Sequence, residues 1–569
     1  MFERRIKNIW RLIRPFSRDS KEIFPDEIFL DSSNLPQFDI HQFEGRLERP
    51  ISRFSIIALS AASLAVLLLF TAKLGSLQIV QGGNLRERSL KNTLRYTYIF
   101  PERGVITDRR GEILAWNKGS FEKEFSLREY NRSPGHAHVL GYLRYPARDS
   151  AGFYWKVSYE GVTGAEKFFS DRLHGRLGKK VIEVDALGEV KSASLVELPG
   201  VGADLKLSVD AALEAKLHAL ISEVADERGF PGGAGVIMDV ESGEILAMTS
   251  YPEYDPGILT EGKDARAIES YLSDERKPFL NRVTAGLYTP GSIIKPFLAL
   301  AALSEGIISP SEKILSDGEL EIPNPYDQTK VSIFTDWRAH GLVDMRRALA
   351  VSSNIYFYVV GGGFEERRGL GIRNIERYMR LFGFGEERQD FFSGEEGVIP
   401  NPEWKAERFG GDEWRVGDTY LSAIGQYGFQ VTPLQVVRAM AAIANGGKLL
   451  KPAILAGEAG AVEAVLPFDP AHLSVVREGL RLAVTSEGGT AAGLNVPYLA
   501  VAAKTGTAEI GVSKQTVNSW VTGYFPYGRP RYAFAVVMDR GPRSNRVGSV
   551  RVTLDLLDWM AAERTEYLN

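Results

Sequence analysis

Three short motifs fall in one order along the chain: Ser292-Ile-Ile-Lys295, Ser352-Ser-Asn354 and Lys504-Thr-Gly506. A serine hydroxyl becomes a useful nucleophile only when a base beside it takes its proton. Here every candidate base is a lysine. A lysine amine can do this only when unprotonated, so its pKa must fall from about 10.4. Burial, a helix N-terminus and a second nearby cation all push in that direction. A shift of about 3 units, roughly 4 kcal/mol, makes the amine usable near neutrality. The chemistry these residues suit is acyl transfer through a serine ester.

A single match of this kind marks a polar turn more often than a site. The chain has a second Ser-x-x-Lys at Ser120 and Lys123 and a second Ser-x-Asn at Ser32 and Asn34, so context must separate the sets. Ser120 sits in a charged, polar stretch, and Ser32 precedes the first long apolar segment. Ser292 instead follows Tyr288-Thr-Pro-Gly291 and opens the run Ile293, Ile294, Phe297, Leu298, Leu300, Leu303. That spacing predicts a buried helix with Ser292 at its start. Positions i and i+3 share a helix face, which sets the Lys295 amine over the Ser292 hydroxyl. Pro296 cannot donate to the Ser292 carbonyl, so the first turn should be distorted. Lys504-Thr-Gly506 closes the apolar segment Tyr498–Ala503, and the segments 518–525 and 532–538 read as further strands.

Other chemistries find little support. The chain has no cysteine, which excludes disulfides, thiolate zinc sites and a lipidated cysteine anchor. Of seven histidines only His136 and His138 lie close together, at a spacing that suits a strand or loop rather than a metal centre. No metal and no cofactor are expected. There is no Gly-x-Ser-x-Gly elbow of a Ser-His-Asp hydrolase. A net charge of −4 gives no general attraction to nucleic acid or anionic lipid. Trp337, Trp404 and Trp414 read as packing residues rather than substrate platforms.

The elements that must position the motifs can be read in outline. At 569 residues, with 44% hydrophobic and 25% charged residues, the chain should hold two or three globular domains. Phe54 to Ala72 carries no charge over 19 residues. At about 1.5 Å per residue that nearly crosses a hydrocarbon core of about 30 Å. A cleaved signal peptide has a shorter apolar region and a short basic lead rather than 53 preceding residues. Arginines 46, 49 and 53 on one side and Lys73, Arg86 and Arg88 on the other leave the orientation undecided by charge. The expected plan is a tail over 1–53, a transmembrane helix over 54–74, a β-rich pedestal over 75–204 and a catalytic domain over 205–569. The catalytic part should be α+β, with a hairpin near 235–248, a helical insert, and strands after about residue 497 that complete the sheet.

Further segments extend the pattern: Arg103–Ala115, Gly161–Glu166, Asp336-Trp337 with His340-Gly341, Gly417-Asp-Thr419, Ile424-Gly-Gln426 and Val431–Gln435. Together with the three motifs, which characterise serine penicillin-recognising enzymes, they resemble the class B penicillin-binding proteins, most closely the elongation-type penicillin-binding protein 2 branch. The resemblance covers roughly residues 54–560. It implies a single-pass protein of the bacterial cytoplasmic membrane, with its tail inside and a β-rich pedestal and transpeptidase domain outside. Three departures stand out. The head subdomain between Arg103–Ala115 and His138–Tyr142 is cut to a loop of about two dozen residues. The usual Gly-Gln-Gly reads Gly425-Gln-Tyr-Gly428. Ala503 precedes Lys504 where glycine is common.

By that resemblance the substrate is the D-Ala-D-Ala end of a peptidoglycan stem peptide, and β-lactams are inhibitors. Ser292 attacks the penultimate carbonyl, with Lys295 as base. The resemblance assigns the oxyanion to the backbone N–H groups of Ser292 and Thr507, and proton relay to Ser352. It sets Asn354 on the substrate backbone and Lys504, Thr505 and Thr507 on the terminal carboxylate. Gly506 lets the strand approach closely. Glu166 and Asp108 are expected to brace the pedestal. A β-lactamase would need a water-activating group, and no ExxLN-like element lies between Asn354 and Lys504. A D,D-carboxypeptidase would use the same acyl-enzyme, and a scaffold that activates a glycan polymerase would not need the intact trio. No glycosyltransferase domain is legible, so a SEDS-family polymerase and other elongation-complex membrane proteins are the expected partners.

Overall fold

The computed structural model describes residues 52–150, 154–184, 190–324, 327–458, 460–511, 514–545 and 547–568. The proposed tail, with Ser32 and Asn34, lies outside the described residues except for its last two positions. The chain forms two units, Met1–Asn92 and Thr93–Asn569.

In the first unit the uncharged run becomes a helix over Arg53–Gly75, capped by the Ser52 side chain accepting from Ser55 N–H. None of its residues is buried. It continues through a π-turn at Ser76–Val80, and the whole stretch Arg53–Val80 is long and apolar enough to cross a membrane. A helix apolar on all faces and unburied in protein suits lipid rather than water. Gly82–Thr93 then forms a further helix where the sequence reading placed the start of the β-rich pedestal.

The second unit begins with two small sheets. Leu94–Ile99 and Val190–Glu197 flank Gly178–Val184 in an antiparallel trio. A four-stranded sheet orders Leu205–Lys206, Ile106–Thr107, Ile113–Lys118 and Leu127–Tyr130. Residues 119–126 join the last two strands in a short hairpin connection. Glu166 is fully buried between Arg103 and Arg128, at 2.6 and 2.7 Å from their Nε atoms. Asp108 accepts from Arg110 and Glu112 N–H through Oδ1 and from Ala211 N–H through Oδ2, which ties the pedestal to the next helix. Both acids brace the pedestal, as the sequence suggests.

Every position of the strand Gly232–Asp239 is buried, which marks it as an interior strand of a sheet covered on both faces. The sheet is antiparallel throughout, in the order Ile245–Tyr251, Gly232–Asp239, Tyr532–Pro542, Thr516–Phe525, Ala502–Ile510. Alternate residues serve opposite faces. Val536 and Met538 join Leu217, Ile221 and Leu556 from the helices Ala211–Arg228 and Ser549–Glu563. Ala535 and Val537 face the helical insert with Ile293, Phe297 and Val436. Asp210 caps Ala211–Arg228, and Gly229 ends it in the left-handed conformation. The α+β expectation of a split sheet closed by C-terminal strands is what the structure shows.

Candidate active site

The turn that carries Ser292 is set from both sides. Tyr288 and Val431 exchange two backbone hydrogen bonds of 3.0 Å, and Gly291 N–H donates to the Gly425 carbonyl at 2.9 Å. Buried Trp520 donates its indole N–H to the Thr289 carbonyl at 3.1 Å. Gly291 has φ of 58°, a left-handed geometry that glycine adopts without strain. Gly291–Ile294 then forms a 3-10 turn, and Lys295–Ser304 continues as α-helix. The Lys295 N–H takes the Ser292 carbonyl that Pro296 cannot reach, which accounts for the tightened first turn. Ser292 is half-buried while Gly291, Ile293, Ile294 and Lys295 are buried, so the serine is the residue of this turn open to a ligand.

Ser352 lies between two helices, Met345–Val351 and Asn354–Gly362, with φ of 58°. A non-glycine residue held there stores about 1–3 kcal/mol of strain. Its hydroxyl accepts from Lys504 Nζ at 2.8 Å and lies 3.4 Å from Lys295 Nζ. Ser353 caps the second helix by accepting from Tyr356 N–H. Lys504 comes from the edge strand Ala502–Ile510 and also donates to the Thr505 carbonyl at 2.9 Å. That strand presses against the serine turn: a Cβ on Gly506 would sit 2.8 Å from the Pro290 carbonyl oxygen and 3.0 Å from an Ile293 methyl. Thr505 is half-buried and Thr507 exposed on the same strand.

The Lys295 amine departs from the sequence expectation. It donates to the Ser352 carbonyl and to Asn354 Oδ1, both at 2.8 Å, and to the Ser353 carbonyl at 3.2 Å. Among the described residues no hydrogen bond joins it to the Ser292 hydroxyl. Helix geometry brings lysine and serine to one face, but the docked Ser-x-Asn segment offers several acceptors against one hydroxyl. Both lysines are fully buried. Burial lowers Lys295 to about 7, against the opposing pull of Asp336, and lowers Lys504 well below the usual lysine value, helped by the charge of Lys295.

Asp336 is the main feature of the site that the three motifs do not contain. Its Oδ2 accepts from Asn354 N–H at 2.8 Å, Ile355 N–H at 3.1 Å, Ser353 Oγ at 2.9 Å and Ser316 Oγ at 3.1 Å. It holds the N-terminus of the helix that carries Asn354, where a carboxylate is favoured by the helix dipole. The Asp336-Trp337 pair was visible as a family segment, but its contacts lie with residues remote in sequence. Trp337 donates to the Val351 carbonyl, beside Ser352. Trp404 and Trp414 pack around Tyr427, as expected of structural tryptophans. Ser120 is a half-buried loop residue whose Oγ accepts from Glu122 and Lys123 N–H. His136 pairs with Glu214 and His138 lies against the Tyr254 ring.

Residues 233–554 match the penicillin binding protein transpeptidase domain, and residues 123–207 match the penicillin-binding protein dimerisation domain. The chain is 30% identical over 517 residues to the peptidoglycan D,D-transpeptidase MrdA of Haemophilus influenzae, covering 83% of this chain and 76% of that one. The crystal structure of Pseudomonas aeruginosa PBP2 in complex with WCK 5153 superposes with a TM-score of 0.69 at 27% identity, over 84% of this chain and 98% of that one. A chain from a structure describing coordination of polymerization and crosslinking by a peptidoglycan synthase complex gives a TM-score of 0.68 at 25% identity, over 90% and 98% of the two chains. With its transpeptidase domain matched over more than half of its length behind a dimerisation domain, the chain belongs to the class B penicillin-binding protein family of peptidoglycan D,D-transpeptidases.

Proposed function

We propose that Ser292 is the nucleophile of this transpeptidase and that Lys295, Ser352 and Lys504 move its protons. The observation that carries the reading is one hydroxyl, Ser352 Oγ, lying 2.8 and 3.4 Å from two buried lysine amines, one of them on the helix that the Ser292 turn opens. Ser292 Oγ attacks the penultimate carbonyl of a D-Ala-D-Ala stem, and its proton passes to neutral Lys295. Backbone N–H groups of Ser292 and Thr507 receive the oxyanion. The C–N bond then breaks, and the departing D-alanine amine takes a proton through Ser352. An acceptor amine of a neighbouring stem attacks the resulting ester, restoring the Ser292 hydroxyl and forming the cross-link. Asn354 orients the substrate backbone. Lys504, Thr505 and Thr507 receive its terminal carboxylate, and Gly506 keeps the strand close to it.

The setting is cell-wall elongation, in line with the relatives named MrdA. The apolar helix holds the protein in the cytoplasmic membrane as a single pass with the catalytic unit outside. A SEDS-family glycan polymerase supplies the strands, a pairing supported by likeness to a chain of a synthase complex that couples polymerization with crosslinking. Fluorescent penicillin followed by peptide mass mapping tests the assignment. The adduct falls on Ser292 and disappears in Ser292→Ala; an adduct that persists there, or one on Ser120, overturns it. Co-purification with such a polymerase tests the pairing.

A further inference from the structure

The segment 425–431 runs beside the nucleophile's turn and is bonded to it at both ends, through Gly425 to Gly291 and through Val431 to Tyr288. Between those ends the backbone turns left-handed twice, at Tyr427 with φ of 60° and at Gly428 with φ of 80°. A tyrosine is a costly choice for the first position, because its Cβ crowds the following carbonyl. Its half-buried ring meets three other aromatic rings. Trp404 lies edge-on at 5.9 Å, Trp414 edge-on at 5.7 Å, and Phe409 stacks at 6.4 Å. Lys405 Nζ sits 5.9 Å from the ring and is itself bound by Asp418 at 2.7 Å and the Glu413 carbonyl at 2.6 Å. Gly428 is packed so tightly under Trp404 that a Cβ there would lie 2.3 Å from the indole. At the other end, a Cβ on Gly425 would lie 2.2 Å from the Gly291 carbonyl oxygen. The two backbones therefore touch one residue before Ser292.

We propose that Tyr427 is a positioning residue for the acylation step: its boxed ring fixes the left-handed turn that presses Gly425 onto Gly291, and so sets the placement of Ser292 without touching substrate. The proposal rests on the reading of Ser292 as nucleophile. It assigns the aromatic box of Trp404, Phe409 and Trp414 a task beyond packing, since the box replaces the freedom of a glycine at this position with a side-chain lock.

Rapid-mixing acylation of the full-length protein by a fluorescent penicillin separates non-covalent binding from the covalent rate. Tyr427→Gly keeps the backbone permitted and removes the lock, so the covalent rate falls by about tenfold or more while the binding constant stays within about twofold. Tyr427→Phe, which keeps the ring in the box, restores the rate to within about threefold of the native value. Phe409→Ala, at a position 51% exposed, reproduces part of the loss and serves if Tyr427→Gly does not fold. A covalent rate within about twofold of native in the folded Tyr427→Gly, or in Phe409→Ala where that is the folded variant, overturns the proposal. A change in the binding constant alone does so too. Ser292→Ala separates the two readings: surviving label there refutes the nucleophile itself, whatever the Tyr427 variants show.

Discussion

Lys504 and Ser352, 152 residues apart in sequence, meet through an amine that donates to a hydroxyl at 2.8 Å. The contact joins the edge strand of the sheet to the helical insert, and Lys295 approaches the same hydroxyl from the serine helix. Two ammonium groups packed this closely in a dry site repel each other, so the arrangement favours loss of a proton from the pair. Burial lowers the Lys295 amine against the pull of Asp336, and burial together with the charge of Lys295 lowers Lys504.

Acylation should follow that titration. With Lys295 lowered to about 7, the acylation rate rises about tenfold per pH unit below that value and levels above it. Stability moves the same way. A lysine whose folded pKa lies below its ordinary 10.5 holds fewer protons folded than unfolded between about 7 and 10.5, so stability increases as pH rises through that window. Lys295→Met removes the pH limb. An acylation profile flat from pH 5 to 9, at a fixed penicillin concentration, would contradict the assigned base.

Asp336→Asn should loosen the Ser-x-Asn segment. The amide keeps the size but loses the charge that faces two helix N–H groups and two hydroxyls. Penicillin acylation falls by about tenfold or more, which corresponds to about 1.4 kcal/mol in the barrier. Rates measured on protein of confirmed fold by circular dichroism check it, and a native rate would show that Asp336 does not hold Ser352 and Asn354 in place.

Glu166→Gln should act on stability rather than on chemistry. The exchange leaves Arg103 and Arg128 buried without their shared counter-charge. Breaking a buried ion pair of this kind costs about 3–5 kcal/mol, read as a lower denaturation midpoint. The acylation rate of the folded fraction stays native. A midpoint unchanged from wild type would mean the triad contributes nothing to the pedestal.

The penicilloyl-enzyme should persist. Asp336 is the carboxylate hydrogen-bonded into the motif cluster, and donors from Asn354, Ile355, Ser353, Ser316 and Trp337 already occupy it. Both of its oxygens are therefore engaged in holding the site together. Mass spectrometry after removal of excess penicillin finds the adduct for many minutes. Turnover of about one per second or faster would reveal a deacylating base.

The three motifs were legible because covalent chemistry fixes residue types at fixed spacings, and a helix or strand then places them on known faces. The antiparallel sheet was legible in the same way, from the apolar runs at 235–248 and after residue 497. Asp336 was not, because its work is done on backbone N–H groups 18 and 19 positions away, a relation that only tertiary packing creates. The Lys295 amine illustrates the same limit: helical spacing finds its face but not the acceptors docked opposite. Gly82–Thr93 escaped for another reason. Leu85, Arg86, Glu87 and Arg88 are good helix formers, but a polar helix lacks the apolar stripe that periodicity detects.

The strand that carries Lys504, Thr505 and Thr507 is the last of its sheet, with no described neighbour beyond it. An unpaired strand edge invites other chains as readily as it admits a peptide substrate, so the feature is also a hazard for aggregation. Charge guards it: Glu509 near its end pairs with Lys514 and Arg543. Neutralising Glu509, Lys514 and Arg543 together would strip that charge from the edge and lower the concentration at which the protein stays in solution.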